Sequence, residues 1–303
     1  MNKFWTLRRF VKNIDPVWRF YSNFSPTLRY MISGNGRLDS TQSEILRELD
    51  ENGIVITTVS ELFGDTSQFE ELDSEVSRVL QLRKDEIEEL RSMANDDTAI
   101  GSKTFILEVL GSDVVFDERS IFARIALNNS LLNIADSYLR MTSKLRYYNV
   151  WQTFASSGAA RESQLWHFDR EDRLILKVFL YLNDVDEGAG PFTYAPGTHK
   201  KGRYRAIEPE SFVEGGVRRT TDEQMSEVFA EDKWIKGIGK KGTLILADTR
   251  GFHKGGESRT KDRLMYTCMY TSPASESRNL VSFSDDFDKN SLDRRQLGAL
   301  GIK

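Results

Sequence analysis

The chain has 303 residues, of which 39% are hydrophobic and 11% aromatic, and its formal net charge is −4. This composition is typical of a soluble globular protein that can bury a sizeable core. The lack of a strongly basic balance argues against nucleic-acid binding. A single cysteine, Cys268, excludes an intrachain disulfide and favours a reducing compartment, so we expect a cytoplasmic protein.

The N-terminal 24 residues mix basic and aromatic side chains: Arg8, Arg9, Lys12 and Arg19 with Phe4, Trp5, Phe10, Trp18 and Phe20. The segment has neither the apolar core of a signal peptide nor a membrane-spanning run. Basic amphipathic segments bind anionic surfaces, so one interpretation is a peripheral contact with a membrane or a partner. The other is that the aromatic side chains pack on the body of the protein.

Residues 1–141 read as a mostly helical cover. Thr41 and Glu44 have the spacing of a capping box before "SEILRELDENG", and Gly53 is a helix stop. "IVITTV" after it predicts a strand. Helical apolar spacing returns in two later segments, Ser67 to Met93 and Ser130 to Met141. We expect these helices to cover the functional site rather than form it.

From Leu145 onward, short β-like runs replace the helical pattern. They are "LRYYNVWQTF", "QLWHFD", "RLILKVFLYL", "PFTYA", "GTLILAD" and "RLMYTCMYT". Few are separated by a helix of crossover length, which favours an antiparallel sandwich or jelly roll over a doubly wound parallel sheet. We therefore expect one domain that is mainly β with helical additions. Its parts are the cover at 1–141, a jelly-roll core at 142–272 with an insertion at 200–241, and a C-terminal extension at 273–303.

The stretch "WHFD" carries a candidate pair of metal ligands. If it is a strand, His167 and Asp169 share one face and Trp166 and Phe168 the other. With 46 acidic residues in the chain, a His-x-Asp pattern alone is weak. A third ligand is needed, and two histidines remain.

The third ligand is better sought at His253 than at His199. His199 lies in the turn "PGTHKKG", which is typical of a loop histidine, whereas His253 follows the apolar strand "GTLILAD". Two histidines and a carboxylate on one side of a metal leave three positions open. Non-haem Fe(II) oxygenases use this arrangement.

Arg263 extends the hypothesis to a cosubstrate. It opens the strand "RLMYTCMYT" ten residues after His253, and a guanidinium suits the distal carboxylate of 2-oxoglutarate. Arg259 is the next candidate for this role. A solvated arginine at the start of a strand is the alternative.

These segments resemble the phytanoyl-CoA dioxygenase-like branch of the Fe(II)/2-oxoglutarate oxygenases. The resemblance runs through "WHFDRE", "LKVFLYLNDVDEGAGPFTYAPGTHK", "GTLILADTRGFHKGG" and Arg263. It implies a double-stranded β-helix of the cupin-like, jelly-roll type. It also implies that iron is held by His167, Asp169 and His253, and that Arg263 grips 2-oxoglutarate. Because Asp169 fills the position that related halogenases leave for chloride, hydroxylation is favoured over halogenation.

The implied reaction uses Fe(II), 2-oxoglutarate and O2 to oxidise a small or medium organic metabolite, most simply by hydroxylation, with release of succinate and CO2. Lys177 alternates with Phe179 and Tyr181 and is either a buried cation near a carboxylate or a snorkelling lysine. Gln152 and Thr153 precede the metal-bearing segment and either contact 2-oxoglutarate or only pack in their strand.

The insertion is rich in cations: Arg203, Arg205, Arg218, Arg219, Lys240 and Lys241. They either meet a phosphorylated or carboxylated substrate or form a solvated surface. The helix predicted at Thr221 to Phe229 is a candidate lid. Two other classes of function stay open. A zinc hydrolase could use the same His2Asp site, and a non-catalytic jelly-roll binding protein could keep the fold without turnover.

Overall fold

A computed structural model describes residues 14–32, 38–93, 105–210, 212, 218–275 and 281–302. After a helical turn at Asp15–Val17 and a π-helical turn at Trp18–Ser22, nine α-helices occur in the described residues. They are α1 (Phe24–Ile32), α2 (Ser40–Asn52), α3 (Val59–Phe63), α4 (Ser67–Leu82), α5 (Lys84–Met93), α6 (Ile121–Ala126), α7 (Asn129–Leu139), α8 (Asp222–Ser226) and α9 (Arg294–Leu300).

The first long helix begins earlier than its sequence pattern predicts. The N-cap of α2 is Asp39, whose carboxylate accepts a hydrogen bond from the Gln42 amide at 2.7 Å. The capping box predicted at Thr41 and Glu44 is therefore wrong, because Asp39 already satisfies a free amide of the first turn. The predicted stop at Gly53 is confirmed, with φ of +79° in the left-handed region.

Six strands form one antiparallel sheet, in the order β1-β8-β5-β10-β4-β2. The eleven strands among the described residues are β1 (Ile54–Thr58), β2 (Ile106–Glu108), β3 (Val114–Phe116), β4 (Lys144–Thr153), β5 (Leu176–Tyr181), β6 (Thr193–Tyr194), β7 (Ile235–Lys236), β8 (Thr243–Asp248), β9 (His253–Lys254), β10 (Arg263–Thr271) and β11 (Val281–Phe283). The predicted strand after Gly53 thus joins the edge of this main sheet through β8. The N-terminal region is consequently more than a helical cover.

A smaller antiparallel sheet of β7, β6 and β9 faces the main sheet. Strand alternation divides the apolar residues of the main sheet between its two faces. Leu180 and Leu246 belong to the larger core cluster, which includes the helices. Phe179 and Ile245 belong to the cluster between the sheets, where the Phe179 and Phe192 rings lie 4.7 Å apart. These two facing sheets are the jelly-roll core that the sequence predicts.

The core is an open pair of sheets with helices packed against it, and it is not a closed barrel. Helices account for 40% of the described residues and strands for 21%, so the β character belongs to the core rather than to all of the described structure. Within β10, Cys268 is fully buried, as its apolar surroundings predict, and burial raises the pKa of its thiol to about 12. That thiol is unreactive at neutral pH.

The segment "QLWHFD" differs from the predicted strand. Trp166 pairs with Thr220 on one side and His167 with His253 on the other, each as an isolated bridge. Because the partner changes between adjacent residues, no continuous ladder forms. Trp166 and Phe168 nevertheless pack in a separate aromatic cluster with Phe212 and Phe252, away from the two polar residues.

Some described residues of the N-terminal segment are buried against the body of the protein, and others are exposed. Trp18 is buried and its indole donates to Asp172 at 2.7 Å, while Arg19 donates to the Leu139 carbonyl at 2.9 Å. Phe20 is 54% exposed. The basic and aromatic residues before position 14 lie outside the described residues. No helix in the described ranges is long and apolar enough to cross a membrane.

The insertion and the C-terminal region carry short elements. The helix predicted at Thr221 to Phe229 is the single turn and a half of α8, capped by the Thr221 hydroxyl. In the C-terminal region, β11 pairs in parallel with β3, and α9 begins at the cap Asp293. This region therefore packs against the body of the protein.

Candidate metal centre and its cavity

His167, Asp169 and His253 converge in the interior. Each offers one ligand atom, and these atoms all lie within 4.8 Å of one another. Backbone pairing sets the geometry, because His167 and His253 exchange two N–H···O bonds of 2.9 Å and their rings lie 4.3 Å apart. The Asp169 amide donates to the Thr249 carbonyl at 2.8 Å, which fixes the third member against the turn before β9.

Both imidazoles have their Nε2 atoms available for a metal. His167 Nδ1 lies 2.8 Å from the Leu165 carbonyl and His253 Nδ1 lies 3.0 Å from the Gly251 carbonyl. Since a carbonyl oxygen only accepts, each Nδ1 carries the proton and each Nε2 keeps its lone pair. Burial lowers the pKa of both rings, in His167 with help from the neighbouring imidazole. Both are therefore neutral at physiological pH.

Asp169 is held as a carboxylate by Lys177. The Lys177 ammonium lies 2.6 Å from Asp169 Oδ2, and both side chains are 12% exposed. Burial alone would raise the pKa of Asp169, but the Lys177 ammonium outweighs it and holds that pKa well below its usual range. Burial likewise opposes the charge of Lys177, and Asp169 raises the lysine pKa in return. Two neutral imidazoles and one carboxylate are a donor set that suits a divalent first-row metal.

The three residues line a cavity of about 1090 Å³. Arg263 lines the same cavity, as the sequence predicts; it is 3% exposed and donates to the Gly255 carbonyl. Its Nε is buried without a hydrogen-bond partner, and burial lowers the pKa of the guanidinium. A buried cation with an unused donor is costly unless an anion joins it. The surroundings of Arg263 thus fit a carboxylate ligand.

Gln152 does not reach the cavity, which corrects its assignment as a cosubstrate-binding residue. In β4 the residues Tyr147, Tyr148, Asn149, Trp151 and Thr153 line the cavity, and Gln152 is not among them. Its amide instead donates to Asp262 at 3.3 Å. Thr153, opposite Arg263 in the β4–β10 register, is the residue of this pair that reaches the cavity.

The two alternative candidates lie elsewhere. His199 is fully buried beside Gly53, with Nε2 3.3 Å from the Asp50 carbonyl, and it is not part of the metal-ligand group. The Arg259 guanidinium donates to the Ser156 carbonyl at 3.1 Å and is not among the residues that line the cavity. Of the two arginines predicted for the cosubstrate, only Arg263 lines the cavity that contains His167, Asp169 and His253.

Residues that sequence reasoning did not assign complete the cavity. The rings of Tyr147 and Trp151 stack on one wall with their centroids 6.1 Å apart. Both alternate with Thr153 along β4, and this alternation is the sequence pattern that could have identified them. The region before residue 142 contributes Phe105, Ile106, Glu108, Ser112 and Val114. The helices of that region do remain outside the cavity, but its strands and loops form part of the wall.

Comparison with protein families identifies the chain. Residues 50–265 match the family described as phytanoyl-CoA dioxygenase (PhyH). The chain belongs to the PhyH family. The matched range includes all three clustered residues and Arg263, and the class of this PhyH protein is that of the Fe(II)/2-oxoglutarate-dependent dioxygenases.

Solved structures similar to this PhyH protein have low sequence identity, and the one with a TM-score above 0.5 shows the same fold. EctD from S. alaskensis with bound Fe is 14% identical, with 85% of this chain and 84% of that chain covered at a TM-score of 0.52. The epimerase SnoN in complex with Fe3+, alpha ketoglutarate and nogalamycin RO is 16% identical, with coverage of 84% and 93% and a TM-score of 0.49. HygX from Streptomyces hygroscopicus with nickel and 2-oxoglutarate bound is 16% identical, with coverage of 80% and 90% and a TM-score of 0.47. No curated protein sequence matches the chain.

The geometry predicts how substitutions affect metal binding. His167→Ala or His253→Ala should weaken Fe(II) binding by more than about 100-fold, because even outer partners of a metal ligand are worth about 10- to 100-fold. The measurement is the metal content and affinity of anaerobically reconstituted protein. His199→Ala is the matched control and should keep full iron stoichiometry in the folded fraction. Unchanged affinity in both site variants would contradict the assignment.

Proposed function

We propose that the protein hydroxylates a small or medium organic metabolite, with 2-oxoglutarate and O2 consumed and succinate and CO2 released. One observation carries the proposal. His167, Asp169 and His253 present their ligand atoms to one point, and Arg263 lines the same cavity. Membership of the PhyH family supports this interpretation of the residues.

In this proposal His167 Nε2, His253 Nε2 and Asp169 hold Fe(II). The iron supplies the activation of O2 that no amino-acid side chain provides. Leu165 and Gly251 orient the two imidazoles through their carbonyls, so both lone pairs are aimed before the metal arrives. EctD, which has the same fold, is known with bound Fe.

Lys177 acts as a positioning residue. Its ammonium occupies Asp169 Oδ2 at 2.6 Å, which leaves the other carboxylate oxygen for the metal. That oxygen and the two imidazoles would hold the metal, which is the donor set of non-haem Fe(II) oxygenases. Because Asp169 is present, that ligand position is closed to a halide, and this supports hydroxylation over halogenation.

Arg263 binds the far carboxylate of 2-oxoglutarate. Arg263 lies on the wall formed by the main sheet, it is buried, and its Nε has no hydrogen-bond partner. An anion bound beside it would therefore offset the cost of burying its charge. A zinc hydrolase would have no task for such a residue, and a binding protein without turnover would have no need of three ligands for a metal. Both alternatives therefore leave part of the cavity unexplained.

Removal of the Arg263 charge tests the cosubstrate site. Anaerobic protein with Fe(II) and 2-oxoglutarate should show the weak visible charge-transfer band of a chelated keto acid. Arg263→Leu should raise the 2-oxoglutarate concentration needed for half of that band by about 30-fold or more, because breaking a desolvated charge pair costs about 2–5 kcal/mol. Arg259→Leu, whose guanidinium lies outside the cavity, is the control. Equal affinity of Arg263→Leu and wild type would refute the role.

The reaction itself can be tested before the substrate is identified. Protein with Fe(II), ascorbate, 2-oxoglutarate and O2 is incubated with a metabolite extract, and succinate and mass changes are followed. We expect succinate above the level of the His167→Ala control and a product heavier by one oxygen. Loss of two hydrogens or of a methyl group would replace hydroxylation by desaturation or demethylation. Succinate that never exceeds the control across broad extracts would contradict turnover altogether.

We further propose that the protein works in the cytoplasm and touches an anionic membrane surface through its N-terminal segment. Support for the compartment comes from the single buried cysteine. Support for the surface comes from an exposed apolar stripe at helical spacing: Phe20, Tyr21, Phe24, Leu28, Met31 and Ile32, each at least 40% exposed. On the other side, Asn23 and Thr27 are buried. The segment thus buries polar residues and exposes apolar ones.

The positive charge of the N-terminal segment favours an anionic membrane as the surface that contacts this apolar stripe. Residues 1–32 contain six basic residues and one acidic residue in a chain whose net charge is −4. Phosphatidylcholine vesicles with 50% phosphatidylglycerol should sediment the wild type but not the double variant Phe24→Asp, Met31→Asp. The exposed pair Leu82→Asp, Val115→Asp is the control. Equal binding of both variants, or a dimer lost only with the stripe, would reject the membrane contact.

A further inference from the structure

Backbone pairing brings Arg219 near His167. The Trp166 amide donates to the Thr220 carbonyl at 3.0 Å and the Thr220 amide to the Trp166 carbonyl at 3.1 Å. His167 follows Trp166 and Arg219 precedes Thr220, so the two are neighbours of this bridge on its two antiparallel segments. Both residues line the metal cavity.

The backbone around Arg219 is tied to the metal-bearing segment. Thr220 is buried, and its hydroxyl donates to Gln224 at 2.9 Å. Asp222 accepts from the Trp166 indole at 2.7 Å and from the Lys254 ammonium at 2.6 Å. Since Trp166 and Lys254 each adjoin a metal-ligating histidine, these bonds fix the approach of residue 219 to the centre.

The Arg219 charge has no anionic partner among the residues that the structure describes. Its Nε is buried without a hydrogen-bond partner, and its Nη1 makes only a 3.5 Å contact with the Arg218 carbonyl. Lys177, by contrast, is neutralised by Asp169.

A guanidinium beside a divalent metal is repelled by it unless an anion lies near both. Asp169 is already committed to Lys177, and Arg263 stands on the wall of the main sheet. We propose that Arg219 forms an oxyanion subsite beside the metal, which binds a carboxylate or phosphate group. This inference rests on the proposed function. The oxyanion has two sources, an acidic substrate or the metal-proximal carboxylate of 2-oxoglutarate.

Two binding measurements test the subsite and separate its sources. Both use anaerobic Fe(II) protein and the charge-transfer band of 2-oxoglutarate, so neither requires turnover. In the first, 2-oxoglutarate is titrated into wild type, Arg219→Gln and Arg219→Lys. In the second, inorganic phosphate is titrated into the protein with 2-oxoglutarate at saturation, and displacement or shift of the band is followed. Arg205→Gln is the control, since Arg205 is exposed and lies outside the cavity.

A substrate subsite predicts an unchanged 2-oxoglutarate affinity and a phosphate response weakened by about 10- to 100-fold in Arg219→Gln, with partial recovery in Arg219→Lys. A cosubstrate subsite predicts the same loss in the first titration instead. If Arg219→Gln stays within twofold of wild type in both titrations, the subsite is disproved. If the wild type still forms the 2-oxoglutarate charge-transfer band, only the subsite is disproved and the proposed function stands. If the wild type forms no such band, the result contradicts the proposed function itself. Should Arg219→Gln fail to fold, Arg219→Lys provides the same comparison.

Discussion

The backbone pairing of His167 with His253 is the constraint on which the site depends. It joins the segment between β4 and β5 to β9 of the smaller sheet, and the two paired residues are 86 positions apart in the chain. Two 2.9 Å backbone hydrogen bonds hold the centres of the two imidazole rings 4.3 Å apart. Two residues after His167, the Asp169 amide donates a hydrogen bond to the Thr249 carbonyl. The three side chains that could hold a metal ion are thus brought together by main-chain bonds, which do not depend on a metal.

Charge balance is the second requirement, because the cavity buries several ionised groups. Asp169 and Lys177 neutralise each other at 2.6 Å, and their opposite effects on each other's pKa keep both charged despite burial. Arg263 and Arg219 keep donors without partners. The cavity that contains the two histidines and the Asp169 carboxylate therefore has two arginine side chains with unused hydrogen-bond donors. Such a cavity favours anionic ligands, of which a keto diacid is one.

The convergence of these residues on one cavity could be predicted because its signals are local. His167 and Asp169 are separated by one residue, His253 follows an apolar strand, and Arg263 opens the next one. The assignment of Gln152 failed because an alternating strand reveals two faces but not which of them is inward. The cap at Asp39 was missed because two acceptor residues, Asp39 and Thr41, stood close together.

Arg219 shows what a single sequence does not contain. It lies in an insertion without periodicity, where basic residues are most simply interpreted as a solvated surface. Its position depends on the bridge between Trp166 and Thr220, which are 54 residues apart in the chain. The contribution of Phe105 and Ile106 to the cavity is likewise non-local, since β2 joins the main sheet only through β4. Long-range pairing has no signature in the periodicity of either partner.

The most direct measurement of the central claim is anomalous diffraction at the iron edge from crystals grown anaerobically with Fe(II) and 2-oxoglutarate. The account predicts one strong peak bonded to His167 Nε2, His253 Nε2 and one oxygen of Asp169, with the far carboxylate of 2-oxoglutarate on Arg263. A peak at another site, or no peak between these three residues at full iron occupancy in solution, would contradict it.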